Sequence, residues 1–281
     1  MGSFVWINGR IFPKSKAKVS VFDSSYLYGE GVFETIRVRE GRILFAGEHW
    51  ARLRRSARSL GLKLPFSSKV LEKAIGLLLK KNSLREAGVR LTLSHLPTGK
   101  SQLVIFTRSC PKYPSTGRLI LIRSVTGAGG VLPTVKTTNR LANVLAEQEI
   151  KKRNATEGVF RNRDGFVTEG STSNLFIVKR RKVWTPPLSD GLLPGTRRAV
   201  VMRLARKLGI VVKERSLHPK DLAASDEIFV TSTLKEILPI AFFEGKKIGR
   251  SVPGPVTTRL MAAYEQLLPF SRRTCYSYHR V

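Results

Sequence analysis

The sequence predicts two domains, a small α+β domain followed by a larger α/β one, and three observations carry that expectation. Short runs rich in Val, Ile and Phe alternate along the chain with longer runs of helical period. Residues 124–134, SVTGAGGVLPT, are glycine-rich and uncharged, as a connection between domains reads. At 281 residues, 42% of them hydrophobic, the chain can bury one large core or two modest ones. The expected division is a small domain over 1–123, a linker over 124–134 and a larger domain over 135–281.

In the first domain, strands at Phe4 to Ile7 and Arg10 to Phe12 flank Asn8-Gly9, a pair that favours the positive φ of a tight hairpin. A second hairpin is expected at Phe33 to Val38 and Arg42 to Phe45, around Glu40-Gly41. Glu48 to Leu60 has helical period, with Leu53, Ala57 and Leu60 on one side and Arg52, Arg54, Arg55 and Arg58 forming a basic face. Ser67-Ser68 caps a second helix whose apolar face is Val70, Leu71, Ala74 and Leu78. Val89 to Leu93 and Gln102 to Thr107 return to strand.

Beyond the linker, Lys136 stands between a β-branched run and a helix expected from about Asn139 to Arg153. There Thr138 or Asn139 can cap, and Leu141, Val144 and Leu145 recur at helical spacing. Several strands follow through Trp184, then a helix from Thr196 to Leu208 closed by Gly209. Strands at Ile228 to Thr231 and Ile237 to Phe243 and a helix from Pro255 to Leu268 complete the domain. The tail SRRTCYSYHRV has no period and reads as frayed.

Composition excludes several classes. Two cysteines, Cys110 and Cys275, make no disulfide framework and have no metal-type spacing, which points to a reducing compartment and to no metal site. The amino terminus lacks a basic stretch followed by an apolar one, and no apolar run is long enough to span a bilayer, so a cytoplasmic protein is expected. Fifty Lys and Arg against twenty Asp and Glu give a net charge of +30. Such a field attracts polyanions. The excess is nevertheless spread from Arg10 to Arg280 in small clusters, without a nucleic-acid-binding motif or interleaved aromatics, and a generally basic solvated surface is the expected reading.

Three stretches carry chemistry together: VKTTNRLANVLA at 135–146, VTEGSTSNLFI at 167–177 and LLPGTRR at 192–198. In this order and spacing they resemble the class IV family of pyridoxal-phosphate (PLP) enzymes, which includes branched-chain and D-amino-acid aminotransferases and aminodeoxychorismate lyase. The resemblance runs from WING near the start to GPVT near the end, and it implies the two-domain fold of that family and PLP as cofactor. By the resemblance, Lys136 is the catalytic lysine that forms the imine and shuttles the proton, and Glu169 pairs with the pyridine nitrogen so that the ring can accept electrons. Ser171 and Asn174 would line the cofactor.

The phosphate has three candidate anchors. Gly195-Thr196-Arg197 opens a helix, where N–H groups and the dipole attract an anion. The family commonly reads GITR where this chain has GTRR, so Arg197 replaces an expected hydroxyl, which Thr196 or the backbone would have to supply. Ser232 and Thr233 in VTSTLKEILP match a second phosphate turn, and Arg52 in HWARL matches the family's HxxRL. Tyr28 and Phe33 in YLYGEGVFET match positions that form the substrate pocket. KTTN followed by NRL has the spacing of the D-amino-acid and lyase branches, whereas TSTLKE and the Tyr28 and Phe33 pair look like transaminases. The reading adopted is an aminotransferase acting on an amino acid and a 2-oxo acid. Aminodeoxychorismate lyase is the alternative and a non-enzymatic nucleic-acid binder the remote one. A homodimer is expected, with SHLPTGK at 94–100 as the loop that completes a neighbouring pocket.

Overall fold

The computed structural model describes residues 2–125 and 133–268. The chain divides into two compact units, Met1–Pro111 with Val135–Arg140, and Lys112–Thr134 with Leu141–Val281.

The first unit is built on an antiparallel sheet. β1 (Phe4–Ile7) and β2 (Arg10–Pro13) form the expected hairpin, with Asn8 and Gly9 at φ 45° and 95°. A short helix, α1 (Ser24–Tyr28), precedes the second hairpin, β3 (Val32–Arg39) and β4 (Arg42–Ile43), where Glu40 and Gly41 also take positive φ. With β5 (Ala87–His95) and β6 (Ser101–Arg108) the strand order is β2-β1-β6-β5-β3-β4. Two helices, α2 (Ala46–Ser59) and α3 (Ser68–Lys81), supply Leu53, Ala57, Leu71, Ala74, Ile75 and Leu78 to the same core as Ile36, Val38, Val89 and Leu91 of the sheet. Ser67 caps α3 by accepting from the Val70 N–H.

Two helix faces differ from expectation. Val70 is exposed and Ile75 is buried in its stead, because the buried stripe of α3 runs through Leu71, Ala74, Ile75 and Leu78. On α2, Arg54, Arg55 and Arg58 face solvent as expected, but Arg52 is buried beside Leu53.

The second unit holds a mixed sheet. Its strands are β7 (Gly117–Leu121), β8 (Glu157–Arg161), β9 (Val167–Gly170), β10 (Asn174–Lys179), β11 (Lys182–Thr185), β12 (Val212–Glu214), β13 (Glu227–Ser232), β14 (Glu236–Phe243) and β15 (Lys246–Lys247). The order is β12-β11-β10-β13-β14-β7-β8-β9, with β15 paired to β14. Pairs β11–β12, β14–β7 and β7–β8 are parallel. Asn174 pairs with Thr231, so the turn that opens β10 and the turn that follows β13 lie at one end of the sheet.

Helices α4 (Leu141–Lys152), α5 (Thr196–Lys207), α6 (Pro219–Ala223) and α7 (Pro255–Gln266) complete the unit. α4 corrects the sequence expectation: Leu141 and Val144 are exposed, while Ala146 is buried in a cluster with Ile120, Ile122 and Phe160, with Ile150 packed against it. α5 ends at Gly209, which takes the left-handed φ of 68°.

The division also departs from the expected one. β7 precedes the predicted linker yet pairs into the second unit's sheet, and residues 135–140 follow it yet belong to the first unit. The reason is local pairing: Val135 is buried in the first unit's core and Thr137 bridges Val32. Most of the linker, 126–132, and the carboxyl-terminal tail fall outside the described residues.

One buried carboxylate fastens α7. Glu227 accepts from the Val256 N–H at 3.0 Å and the Thr257 N–H at 2.8 Å, satisfying two amides of the helix start and complementing its dipole. Replacing Glu227 by alanine strands both amides and is expected to cost about 1–3 kcal/mol. Urea unfolding reads this as a lower midpoint, and an unchanged midpoint would remove Glu227 from the account of α7.

Candidate functional site

In the first unit the candidate residues gather around β3. Gly31, just ahead of the strand, lets residues 135–138 approach: a Cβ there would lie 2.8 Å from the Ser25 Cβ and 3.0 Å from the Thr138 Oγ1. The Phe33 N–H donates to the Lys136 carbonyl at 2.9 Å, and the Thr138 N–H donates to the Gly31 carbonyl at 2.8 Å. The Lys136 N–H reaches the Ser56 hydroxyl of α2 at 3.4 Å. Thr138, one of the two residues expected to cap a helix, instead donates its hydroxyl to the Gly29 carbonyl at 2.7 Å. The backbone of Lys136 is thus pinned on both sides, and its amine extends over the Phe33 ring, 4.5 Å from the centroid.

That ring collects two further cations. The Arg90 guanidinium stacks on it at 3.4 Å, and that of Arg140 lies at 5.5 Å. Arg90 also donates to the Thr92 hydroxyl at 3.3 Å. Burial, then the charges of Arg140 and Arg108, push the Arg90 guanidinium down to about 9. A carboxylate or phosphate placed against this cluster would relieve that crowding.

Phe33 and Glu34 point to opposite faces of β3, as neighbours in a strand must. Glu34 is fully buried and accepts from Arg52 twice, at 2.7 Å and 2.9 Å, and from His49 Nδ1 at 2.8 Å. Burial opposes its ionisation, but Arg52 and His49 together outweigh that and hold it far below the usual carboxylate value. Two edges of the Arg52 fork are therefore occupied by Glu34.

In the second unit, Glu169 near the end of β9 accepts from the Leu193 N–H at 3.1 Å and from the Asn174 amide at 3.3 Å. The same amide donates to the Leu193 carbonyl at 2.9 Å. Asn174 is buried against Gly195, where an added Cβ would lie 1.8 Å from its Oδ1. Gly195 is the N-cap of α5 and brings no side chain to its first amides. Thr196 and Arg197 follow, both buried. The Arg197 guanidinium lies 3.5 Å from the Thr196 hydroxyl, and burial pushes up the phenol of Tyr264 on α7. Ser232 and Thr233 are half-buried at the end of β13.

The hydroxyl of Ser171 does not stand alone. With those of Thr172 and Ser173 it converges on Glu157, a fully buried carboxylate at the start of β8, at 2.5, 3.0 and 2.8 Å. The Lys235 amine completes the set at 2.6 Å.

Of the residues expected from sequence, Lys136, Phe33 and Arg52 are thus placed in the first unit, and Glu169, Ser171, Asn174, Thr196, Arg197, Ser232 and Thr233 in the second. Tyr28, expected to wall a pocket, is 76% exposed on α1. Sequence reasoning missed Arg90, Arg140, His49, Glu157 and Lys235 and left Glu34 unassigned. A glutamate inside an otherwise apolar strand, as in VFETI, was the available signal for Glu34. Among the described residues no cluster of His, Cys, Asp and Glu could hold a metal ion.

The family model described as amino-transferase class IV matches residues 31–242. The chain is 33% identical to "Putative branched-chain-amino-acid aminotransferase" of Methanocaldococcus jannaschii, over 94% of this chain and 96% of the relative. It is 30% identical to D-alanine aminotransferase of Bacillus licheniformis, over 93% and 95%. Among solved structures, a "Putative 4-amino-4-deoxychorismate lyase" of Legionella pneumophila superposes with a TM-score of 0.85 at 28% identity, covering 91% of this chain and 97% of that one.

Two outcomes follow from the geometry. Because Glu34 is held below its usual value of 4.5, its contribution to stability is full above that pH and is lost as pH falls beneath it. The thermal midpoint should stay level from pH 7 to about 5 and fall below about 4.5, and Glu34→Gln should lower the plateau and flatten the acid limb. Identical acid limbs would remove Glu34 from the account. Gly195→Ala should displace Asn174 and loosen Glu169, read as weakened protection of the Leu193 amide from hydrogen exchange.

Proposed function

The chain belongs to the class IV aminotransferases, an enzymatic and PLP-dependent family, and from that membership we propose an aminotransferase moving an amino group between an amino acid and a 2-oxo acid, with Lys136 bonding the cofactor. The observation that carries the reading is the fixed carboxylate of Glu169, aimed by Asn174 and the Leu193 N–H instead of being left to solvent.

The residues present fit PLP by the chemistry of their donors. Lys136 provides the amine, pinned through its backbone. Glu169 provides the carboxylate for the ring nitrogen. Gly195 leaves the first amides of α5 without a side-chain cap, and the hydroxyls of Thr196, Ser232 and Thr233 supply further donors for a phosphate. Arg52 enters the reading with a qualification: its fork already holds Glu34, so Arg52→Ala would strand a buried carboxylate as well as remove a phosphate contact. Arg197 would contribute through its backbone, at the start of α5. Ser171 and Asn174 act on the cofactor side by holding the turn beside Glu169.

When bound, PLP supplies an electron-accepting ring that makes the α-proton of an amino acid removable. Glu169 would hold a proton at the ring nitrogen, and the Lys136 amine would carry the proton taken from the α-carbon. Arg90 and Arg140 on the Phe33 ring supply the positive field that a substrate carboxylate requires. The lyase alternative rests on the KTTNRL spacing and is decided by assay of aminodeoxychorismate beside a panel of amino donors.

The protein is further proposed to act as a homodimer. Val19, Val21, Phe22, Tyr26, Leu27 and Tyr28 form a run of exposed large hydrophobics in the first unit, which a second copy would cover. Self-repulsion at +30 per protomer predicts that salt favours the pairing. The cytoplasm remains the proposed compartment, and no helix among the described residues is long and apolar enough to cross a membrane.

The purified protein should carry a visible band that borohydride bleaches and that Lys136→Ala abolishes together with turnover. Glu169→Gln should retain cofactor but slow the donor half-reaction by about a hundredfold to a thousandfold. A variant converting its cofactor at the wild-type rate would show that another residue controls the ring nitrogen. Arg90→Leu should raise the KM for the 2-oxo acid by about tenfold to a hundredfold, as loss of a charge-assisted contact implies, with a smaller change in kcat.

A further inference from the structure

We propose that Glu157 is a positioning residue. A buried carboxylate at the start of β8, it holds the 171–173 turn and the 232–235 turn in one register, and so fixes where Glu169 and Asn174 stand relative to Ser232 and Thr233. The link itself is read from the second unit's geometry. Its consequence for the cofactor rests on the function proposed above.

The three hydroxyls of Ser171, Thr172 and Ser173 all reach Glu157. A hydroxyl has a single proton to donate. Given to Glu157, those protons are withdrawn from any anion, so Ser171 serves the carboxylate before it serves a phosphate. The backbone repeats the anchoring: the Ser171 N–H donates to the Gly158 carbonyl at 2.8 Å, and the Gly170 N–H to the Ser173 carbonyl at 2.7 Å. The turn so fastened lies between Glu169 and Asn174.

Lys235 extends the link to the other turn. Its amine donates to Glu157 at 2.6 Å and to the Thr172 hydroxyl, and its backbone N–H donates to the Ser232 hydroxyl at 3.1 Å. The pair is 78 residues apart in sequence and closed from solvent. A buried pair of this kind adds little to stability over an apolar pair of equal volume. What an apolar pair could not do is gather three hydroxyls and a second turn onto one point.

The test uses Glu157→Gln, Lys235→Met and the double variant, each as purified with its cofactor. Hydrogen exchange of segments 170–174 and 232–236, cofactor retention and thermal midpoint are measured together. Glu157→Gln should raise exchange in both segments at once and weaken cofactor retention by about tenfold to a hundredfold, the range for outer partners that orient a ligand-holding group. The double variant buries no unpaired charge and should recover the midpoint, yet recover neither the protection nor the retention. Loosening confined to one segment, or a double variant that recovers all three, overturns the proposal. Should Glu157→Gln fail to fold, Glu157→Asp keeps the charge and shortens the reach by one methylene, and the same two segments must respond. A wild-type protein that holds no cofactor would sink the proposed function, while the exchange data would still decide the link between the turns.

Discussion

A carboxylate sealed from water must be surrounded by donors, because the charge it carries is costly in a medium that cannot hydrate it. Each unit of this protein contains such a group, Glu34 in the first and Glu157 in the second, and each has drawn donors from segments that share no secondary structure with it. Glu34 ties β3 to α2 through Arg52 and His49. Glu157 ties β8 to the turn before β10 and to the turn after β13. In both cases the anchored segments carry candidate residues, Phe33 and Arg52 in the first unit and Ser171 and Ser232 in the second.

These anchors and the hydrophobic cores hold side chains in different ways. An apolar core fixes a side chain by exclusion and tolerates exchange for another of similar volume. A hydrogen-bonded carboxylate fixes direction as well, since its lone pairs accept along defined lines. Phe33 and Glu34 show the two modes side by side on β3: the Phe33 ring is buried as core, and the Glu34 carboxylate is held by Arg52 and His49.

Much of the fold was legible because its signals are local. Asn8-Gly9 and Glu40-Gly41 specify hairpins through the conformations of two residues, and Ser67 and Gly209 mark helix ends by chemistry within a turn. The stretches around Lys136 and Glu169 single them out as candidates. What the sequence concealed is pairing at a distance. Glu157 and Lys235 lie in different elements, and nothing in TEGVF or TLKEI announces that they meet. The face of α4 was misread for a related reason: Leu141 and Val144 have the right spacing for a core, but the packing surface offered by Ile120, Ile122 and Phe160 admits Ala146 instead. Tyr28 is exposed on α1, a position that its place in YLYGEGVFET does not reveal.

Residues 135–140 leave the second unit's stretch of chain, join the first unit for six residues and return. Neither unit is therefore a continuous piece of sequence. During synthesis the first unit cannot finish its core until Val135 has left the ribosome, by which time β7 of the second is already made. Over evolutionary time the same interruption bars exchange of either unit between relatives by a single recombination event. A crossover in the intervening stretch would carry Lys136 away from the strand that holds its backbone, so the amine and its support are inherited together or lost together.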